Sequence, residues 1–134
     1  PVCGIDFYPT FLEMAGIKNK AGNIVDGTSI LNVFKGNKWA GRDALFWHYP
    51  SETGKWVARM CSAVRMGNYK LLYFYADGKT ELYDLSKDPS EQNDIAAAQP
   101  QKVKELKAAL DKWKKEVNAE EPNINATKTR KKKA

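Results

Sequence analysis

Ala63-Val64-Arg65-Met66-Gly67-Asn68-Tyr69-Lys70-Leu71-Leu72-Tyr73-Phe74-Tyr75-Ala76-Asp77-Gly78-Lys79-Thr80-Glu81-Leu82-Tyr83-Asp84-Leu85 holds two turn signals, Gly67-Asn68 and Asp77-Gly78, each set between β-prone residues. Glycine and asparagine accept positive φ at little cost, so both dipeptides suit tight hairpins between twisted strands. The middle segment, Tyr69 to Tyr75, is mostly aromatic and apolar, as a strand with neighbours on both sides should be. The third segment alternates, with Thr80 and Leu82 on one face and Glu81 and Tyr83 on the other. The pattern predicts a three-stranded antiparallel meander. A hairpin alone is marginal in water, so the sheet needs a further strand and a cover.

Both are found on either side of it. Upstream, Ala44-Leu45-Phe46-Trp47-His48-Tyr49 is a compact apolar and aromatic run closed by Pro50, which predicts a fourth strand ending in a polar link over Ser51 to Lys55. Downstream, Val103, Leu106, Leu110, Trp113 and Val117 recur at three- and four-residue steps behind Pro100, which suits a first helical turn. The spacing predicts an amphipathic helix over Pro100 to Val117, with Trp113 and Leu110 buried over Leu71 and Leu82. Between meander and helix, residues 86–94 are rich in turn formers, and Asp84, Asp88 and Asp94 are best used as capping and turn acceptors.

Towards the N-terminus, Asp6 to Ile17 predicts a short helix with Asp6 as its cap, Pro9 in the first turn and Gly16 as its stop. Its apolar residues Phe7, Phe11, Leu12, Met14, Ala15 and Ile17 cover most of the cylinder, so the helix calls for neighbours on several sides. A loop and a short apolar turn over Thr28 to Phe34 follow. The chain therefore divides into an N-terminal helix with its loops (1–43), an antiparallel sheet with a C-terminal helix (44–117) and a basic tail expected to be disordered (118–134). The fold class is α+β.

The 134 residues are enough for one domain with a real core. The formal charge of +6 rests largely on Lys128, Arg130, Lys131, Lys132 and Lys133, and the body is nearly neutral. That distribution argues against nucleic acid as the partner, because a short terminal run of like charge is usually a solvated tail. No apolar run approaches the roughly 20 residues a membrane helix needs. A start at Pro1, with no initiator Met, is what a segment of a longer protein would show. Cys3 and Cys61 stand apart from any second metal ligand, and a disulfide between them is left open by sequence. Asn125-Ala126-Thr127 is an acceptor pattern for N-glycosylation, short enough to arise by chance. The residues offer no Gly-x-Ser-x-Gly elbow, no phosphate-cradling glycine loop and no Asp/His cluster for a divalent cation.

The order of short motifs is more specific than any one of them. Asp6-Phe7-Tyr8-Pro9-Thr10 with Ala15-Gly16, then Asp26-Gly27-Thr28-Ser29-Ile30, then Arg42 to Pro50, Ala63 to Leu71, Glu81 to Leu85 and Asp88 to Asp94 follow one another at spacings that resemble the C-terminal region of the formylglycine-dependent, arylsulfatase-like sulfatases of the alkaline phosphatase superfamily. The resemblance covers about residues 2 to 117. It implies a subdomain of an enzyme that hydrolyses sulfate esters, contributing stability and part of the substrate pocket without being catalytic alone. It implies calcium and formylglycine in an N-terminal domain, a secreted or periplasmic location, and a sulfated small molecule or glycan as substrate. The first helix would dock on that large α/β domain. No catalytic or metal-binding residue is carried over. Cys61-Ser62-Ala63-Val64-Arg65 has a partial likeness to the family's nucleophile motif but lies in the strand region, and is read as coincidence. Alternatives are a related phosphodiester or phosphonate monoester hydrolase, or a stand-alone module binding an anionic ligand through the tail.

His48 is the single histidine and the one titratable outlier. One reading is structural, with its ring nitrogens satisfied by backbone or water at a strand end. The other makes Trp47, His48 and Tyr49, with the loop beside them, a rim of the substrate pocket, His48 donating a hydrogen bond to substrate and taking no part in bond cleavage. By resemblance, this junction faces the cleft between the two sulfatase domains.

Overall fold

The computed structural model describes residues 1–20, 23–39, 41–50 and 60–122. The Ser51 to Lys55 link, the glycosylation pattern and the lysine-rich end of the tail lie outside the described residues. The chain forms two compact units, Pro1–Arg42 and Asp43–Ala134.

In the second unit, β1 (Ala44–Tyr49), β2 (Cys61–Met66), β3 (Tyr69–Phe74) and β4 (Thr80–Asp84) form one antiparallel sheet in the order β1-β2-β3-β4. Gly67 takes φ of 56° between β2 and β3, where a residue with a Cβ would be strained. The expected tight turn at Asp77-Gly78 is instead part of a longer loop over residues 75–79. Tyr75 N donates to Met60 O and so extends the β2–β3 ladder, while Gly78, at φ of 70°, donates back to Phe74 O.

The register decides which side chains share a face. Phe46 opposes Val64, Val64 opposes Leu71, and Leu71 opposes Leu82. Above this row lies α3 (Pro100–Glu116), whose Leu106 and Leu110 complete a fully buried cluster with Val64, Leu71 and Leu82. Trp113 is half-buried, stacked on Phe46 with ring centroids 4.9 Å apart and planes within 4°. Lysines at the helix margin reach back over tyrosines of the sheet, Lys102 over Tyr69 at 5.3 Å and Lys107 over Tyr73 at 4.4 Å. Each combines a cation–π contact with an apolar stem laid on the core's edge. The acidic turn residues act as expected: Asp88 accepts from the amides of Gln92 and Asn93, and Asp94 from those of Leu82 and Ala96. Tyr83, on the other sheet face, is buried and donates to Glu81 at 2.9 Å; burial first and Glu81 second push its hydroxyl up to about 12.

In the first unit, a 3₁₀ turn (Gly4–Asp6) leads into α1 (Phe7–Met14), and α2 (Leu31–Phe34) follows the loop. Asp6 occupies the N-cap position of α1 but makes no side-chain cap bond to it. Its carboxylate is fully buried and committed elsewhere: Oδ2 accepts from Cys3 N at 2.8 Å, and Oδ1 accepts from Thr28 N at 3.0 Å and from the Arg42 guanidinium. Thr10 Oγ1 donates to Asp6 O at 2.5 Å and accepts from Ile30 N at 2.9 Å. Gly27 passes so close that a Cβ there would lie 2.0 Å from the carbonyl oxygen of Ile5. Two motifs some twenty residues apart in sequence thus close on each other through Asp6, Thr10, Gly27 and Thr28.

Only Thr10 of α1 is buried. Phe7, Tyr8, Phe11, Met14 and, beyond the helix, Ile17 are all exposed, as are Val2 and Ile5 before it. Phe7 and Phe11 stack on each other, with ring centroids 5.8 Å apart.

Candidate functional site

The polar centre of the second unit lies where β1 ends. Strand alternation puts Ala44, Phe46 and His48 on the face covered by α3, and Leu45, Trp47 and Tyr49 on the other. His48 is paired across the sheet with Ser62, and Ser62 with Tyr73. Its Nδ1 lies 2.7 Å from Ser62 Oγ and 3.2 Å from the Tyr75 hydroxyl. Ser62 Oγ and the Tyr75 hydroxyl are themselves 2.7 Å apart, closing a triangle. The His48 and Tyr75 rings meet edge to face at 5.9 Å.

The other nitrogen, Nε2, donates to the backbone carbonyl of Glu120 at 2.7 Å. The expected tail therefore begins with an ordered piece. After α3, Ala119 N donates to Lys114 O, Asn118 takes φ of 49°, and Lys114 Nζ pairs with Glu121 at 2.6 Å while lying 4.8 Å from the centre of the Tyr75 ring. Burial works against the charge on Lys114, but the hydrogen bonds to Glu121 and Tyr75 outweigh it and raise its pKa. The cationic end of α3 and this short segment thus lie beside the His48 end of the sheet.

On the opposite face Trp47 and Tyr49 are 43% and 37% exposed. The three residues singled out by sequence are therefore split: two aromatic rings share one face of an edge strand, and the imidazole points to the other. Ser62 and Tyr75 were not singled out. The available signal was parity, since Ser62 falls in step with Val64 and Met66, a row where a hydroxyl has to be bonded to be buried. Cys61 and Cys3 are both thiols, with no disulfide between them. Among the described residues no group of three or more His, Cys, Asp and Glu side chains could hold a metal ion.

Residues 1–120 match the family described as N-sulphoglucosamine sulphohydrolase, C-terminal. The chain belongs to this sulfatase C-terminal family. It is 30% identical over 131 residues to an N-acetylglucosamine-6-O-sulfatase of Bacteroides thetaiotaomicron, covering 92% of this chain and 23% of that protein. It is 37% identical over 106 residues to a sulfatase of Formosa agariphila, covering 72% of this chain and 19% of that protein. Among solved structures, one determined in complex with its substrate D-glucosamine-2-N,6-O-disulfate superposes with a TM-score of 0.70 at 30% identity, over 87% of this chain and 24% of that one. The chain thus spans about a fifth to a quarter of the length of these relatives. The four-stranded sheet with its terminal helix is the α+β architecture that the sequence and the sulfatase resemblance led us to expect.

Proposed function

We propose that this sulfatase C-terminal domain works within a polypeptide that hydrolyses sulfate esters, and that it supplies one wall of the substrate cleft and no bond-breaking group. Family membership across residues 1–120 is the observation that supports the reaction class. The chemistry would be carried by formylglycine and calcium held by other parts of the sulfatase. A sulfated sugar is the favoured substrate class, since relatives act on sulfated glucosamine derivatives. The apolar face formed by Ile5, Phe7, Phe11, Met14 and Ile17 would be the seat of the large catalytic domain.

At the cleft, Trp47 and Tyr49 offer two half-exposed rings on one face of an edge strand, a surface suited to the apolar face of a sugar. His48 offers a different group, the Nε2–H that now donates to Glu120 O and that a substrate oxygen would take over. In the whole sulfatase, Trp47→Ala and Tyr49→Ala should each lower kcat/KM about tenfold, the order of one aromatic contact, with little change in Tm. His48→Ala should lower kcat/KM with a smaller effect on stability. Unchanged kinetics in all three variants would remove this strand end from the substrate cleft.

A further inference from the structure

We infer that Ser62 and Tyr75 are positioning residues that hold the His48 imidazole in the one arrangement able to donate from Nε2. The inference rests on the reading of His48 as a substrate donor and adds how that donor is set. It starts from what the partners can do. A carbonyl oxygen can only accept, so the 2.7 Å contact to Glu120 O requires a proton on Nε2. A neutral ring then carries a lone pair on Nδ1, which needs a donor.

Two hydroxyls supply it. Ser62 Oγ lies 2.7 Å from Nδ1, and the Tyr75 hydroxyl lies 2.7 Å from Ser62 Oγ. The proton order that follows the two shortest contacts is Tyr75 O–H to Ser62 Oγ, then Ser62 O–H to His48 Nδ1; the Tyr75 hydroxyl, 3.2 Å from Nδ1, is the second donor within reach. Ser62 is 0% exposed and Tyr75 is buried, so neither hydroxyl has water to fall back on. The Glu120 carbonyl thus selects the Nε2–H tautomer, and the two hydroxyls fix the ring's rotation and complete that tautomer by donating into Nδ1. A chain of hydrogen bonds in a buried setting polarises along its length, and donation into Nδ1 makes Nε2–H the stronger donor. The outer contact, by contrast, is at the exposed end of the ring. The Glu120 carbonyl there occupies the position of an acceptor oxygen, and both a sugar hydroxyl and a sulfate oxygen are acceptors of the required kind. A serine in the apolar row beside Val64 and Leu71 gains its explanation: packing alone would be served as well by Ala or Val.

Because His48 is the only histidine, its two ring nitrogens can be read without ambiguity by ¹⁵N NMR on the 134-residue chain. The expected spectrum has Nε2 protonated and Nδ1 as a hydrogen-bonded acceptor. In Ser62→Ala and Tyr75→Phe the Nδ1 resonance should move towards that of an unbonded ring nitrogen, with distant amides unchanged. Tyr75→Phe removes only a hydroxyl and serves if Ser62→Ala is poorly folded. In the whole sulfatase each variant should lower kcat/KM about three- to tenfold, the range of one neutral hydrogen bond, and should cost nothing further when His48 is already Ala. Equal losses with and without His48, or a wild-type ring protonated on Nδ1 and bare on Nε2, would overturn the assignment. Impaired His48→Ala beside unimpaired Ser62→Ala and Tyr75→Phe would overturn the positioning role alone. An unimpaired His48→Ala would overturn the substrate reading beneath it.

Discussion

Asp6→Ala should destabilise the N-terminal unit by about 3–5 kcal/mol, the range seen when one partner of a buried ion pair is removed. The carboxylate is fully buried, and the Arg42 side chain that meets it is 14% exposed. Removing the acid leaves that guanidinium, whose Nε already has no partner, without its counter-charge. It also leaves the amides of Cys3 and Thr28 without their acceptor, at a further cost for each buried donor. Asp6→Asn should be milder, since an amide oxygen can still accept from one of the two amides. Hydrogen exchange reads the effect locally: protection of the α1 amides should fall in Asp6→Ala while that of β2 and β3 stays as it was. Unchanged protection in α1 would mean that the carboxylate is not what closes the two motifs on each other.

In the second unit the largest effect is expected at Leu71. It is fully buried, sits between Val64 and Leu82 across the strands, and belongs to the cluster completed by Leu106 and Leu110 of α3. Leu71→Ala removes apolar surface from the middle of this cluster and leaves a cavity that a central strand cannot easily close. A loss of about 2–5 kcal/mol follows, measured by denaturant unfolding. Trp113→Ala should cost less than the about 3–5 kcal/mol of a fully buried aromatic, because Trp113 is only half-buried, packed at the edge of the cluster and stacked on Phe46. A Trp113→Ala loss larger than that of Leu71→Ala would show that the helix edge, and not the strand centre, holds the cover on the sheet.

Much of this unit was legible in the sequence because period-two and period-3.6 patterns report directly on which side chains are covered. Ala44 to Tyr49 and the parity of Leu82 against Tyr83 could be read that way, as could the α3 residues Leu106 and Leu110. The motif order carried the family in the same manner. Less legible was everything that depends on register or on long-range closure. Asp6 looked like a helix cap, since Asp before a helix usually caps it, but its acceptor capacity is taken up by Thr28 and Arg42, which no local rule connects to it. Asp77-Gly78 looked like a two-residue turn, yet Tyr75 prolongs the ladder and Gly78 closes a longer loop. The grouping of His48 with Ser62, Tyr75 and Glu120 spans 72 residues between its outer members. It arises only once the strands are aligned, and the segment after α3 showed no periodicity by which to place it.

We propose that this sulfatase C-terminal domain serves a sulfate-ester hydrolase without carrying its chemistry. The most direct measurement compares sulfate release from a 6-O-sulfated glucosamine by the complete sulfatase polypeptide, matured to formylglycine and supplied with calcium, with release by the 134-residue chain alone under the same conditions. The complete polypeptide should turn over and the isolated chain should stay at background. Calcium-dependent turnover by the chain alone would contradict the account.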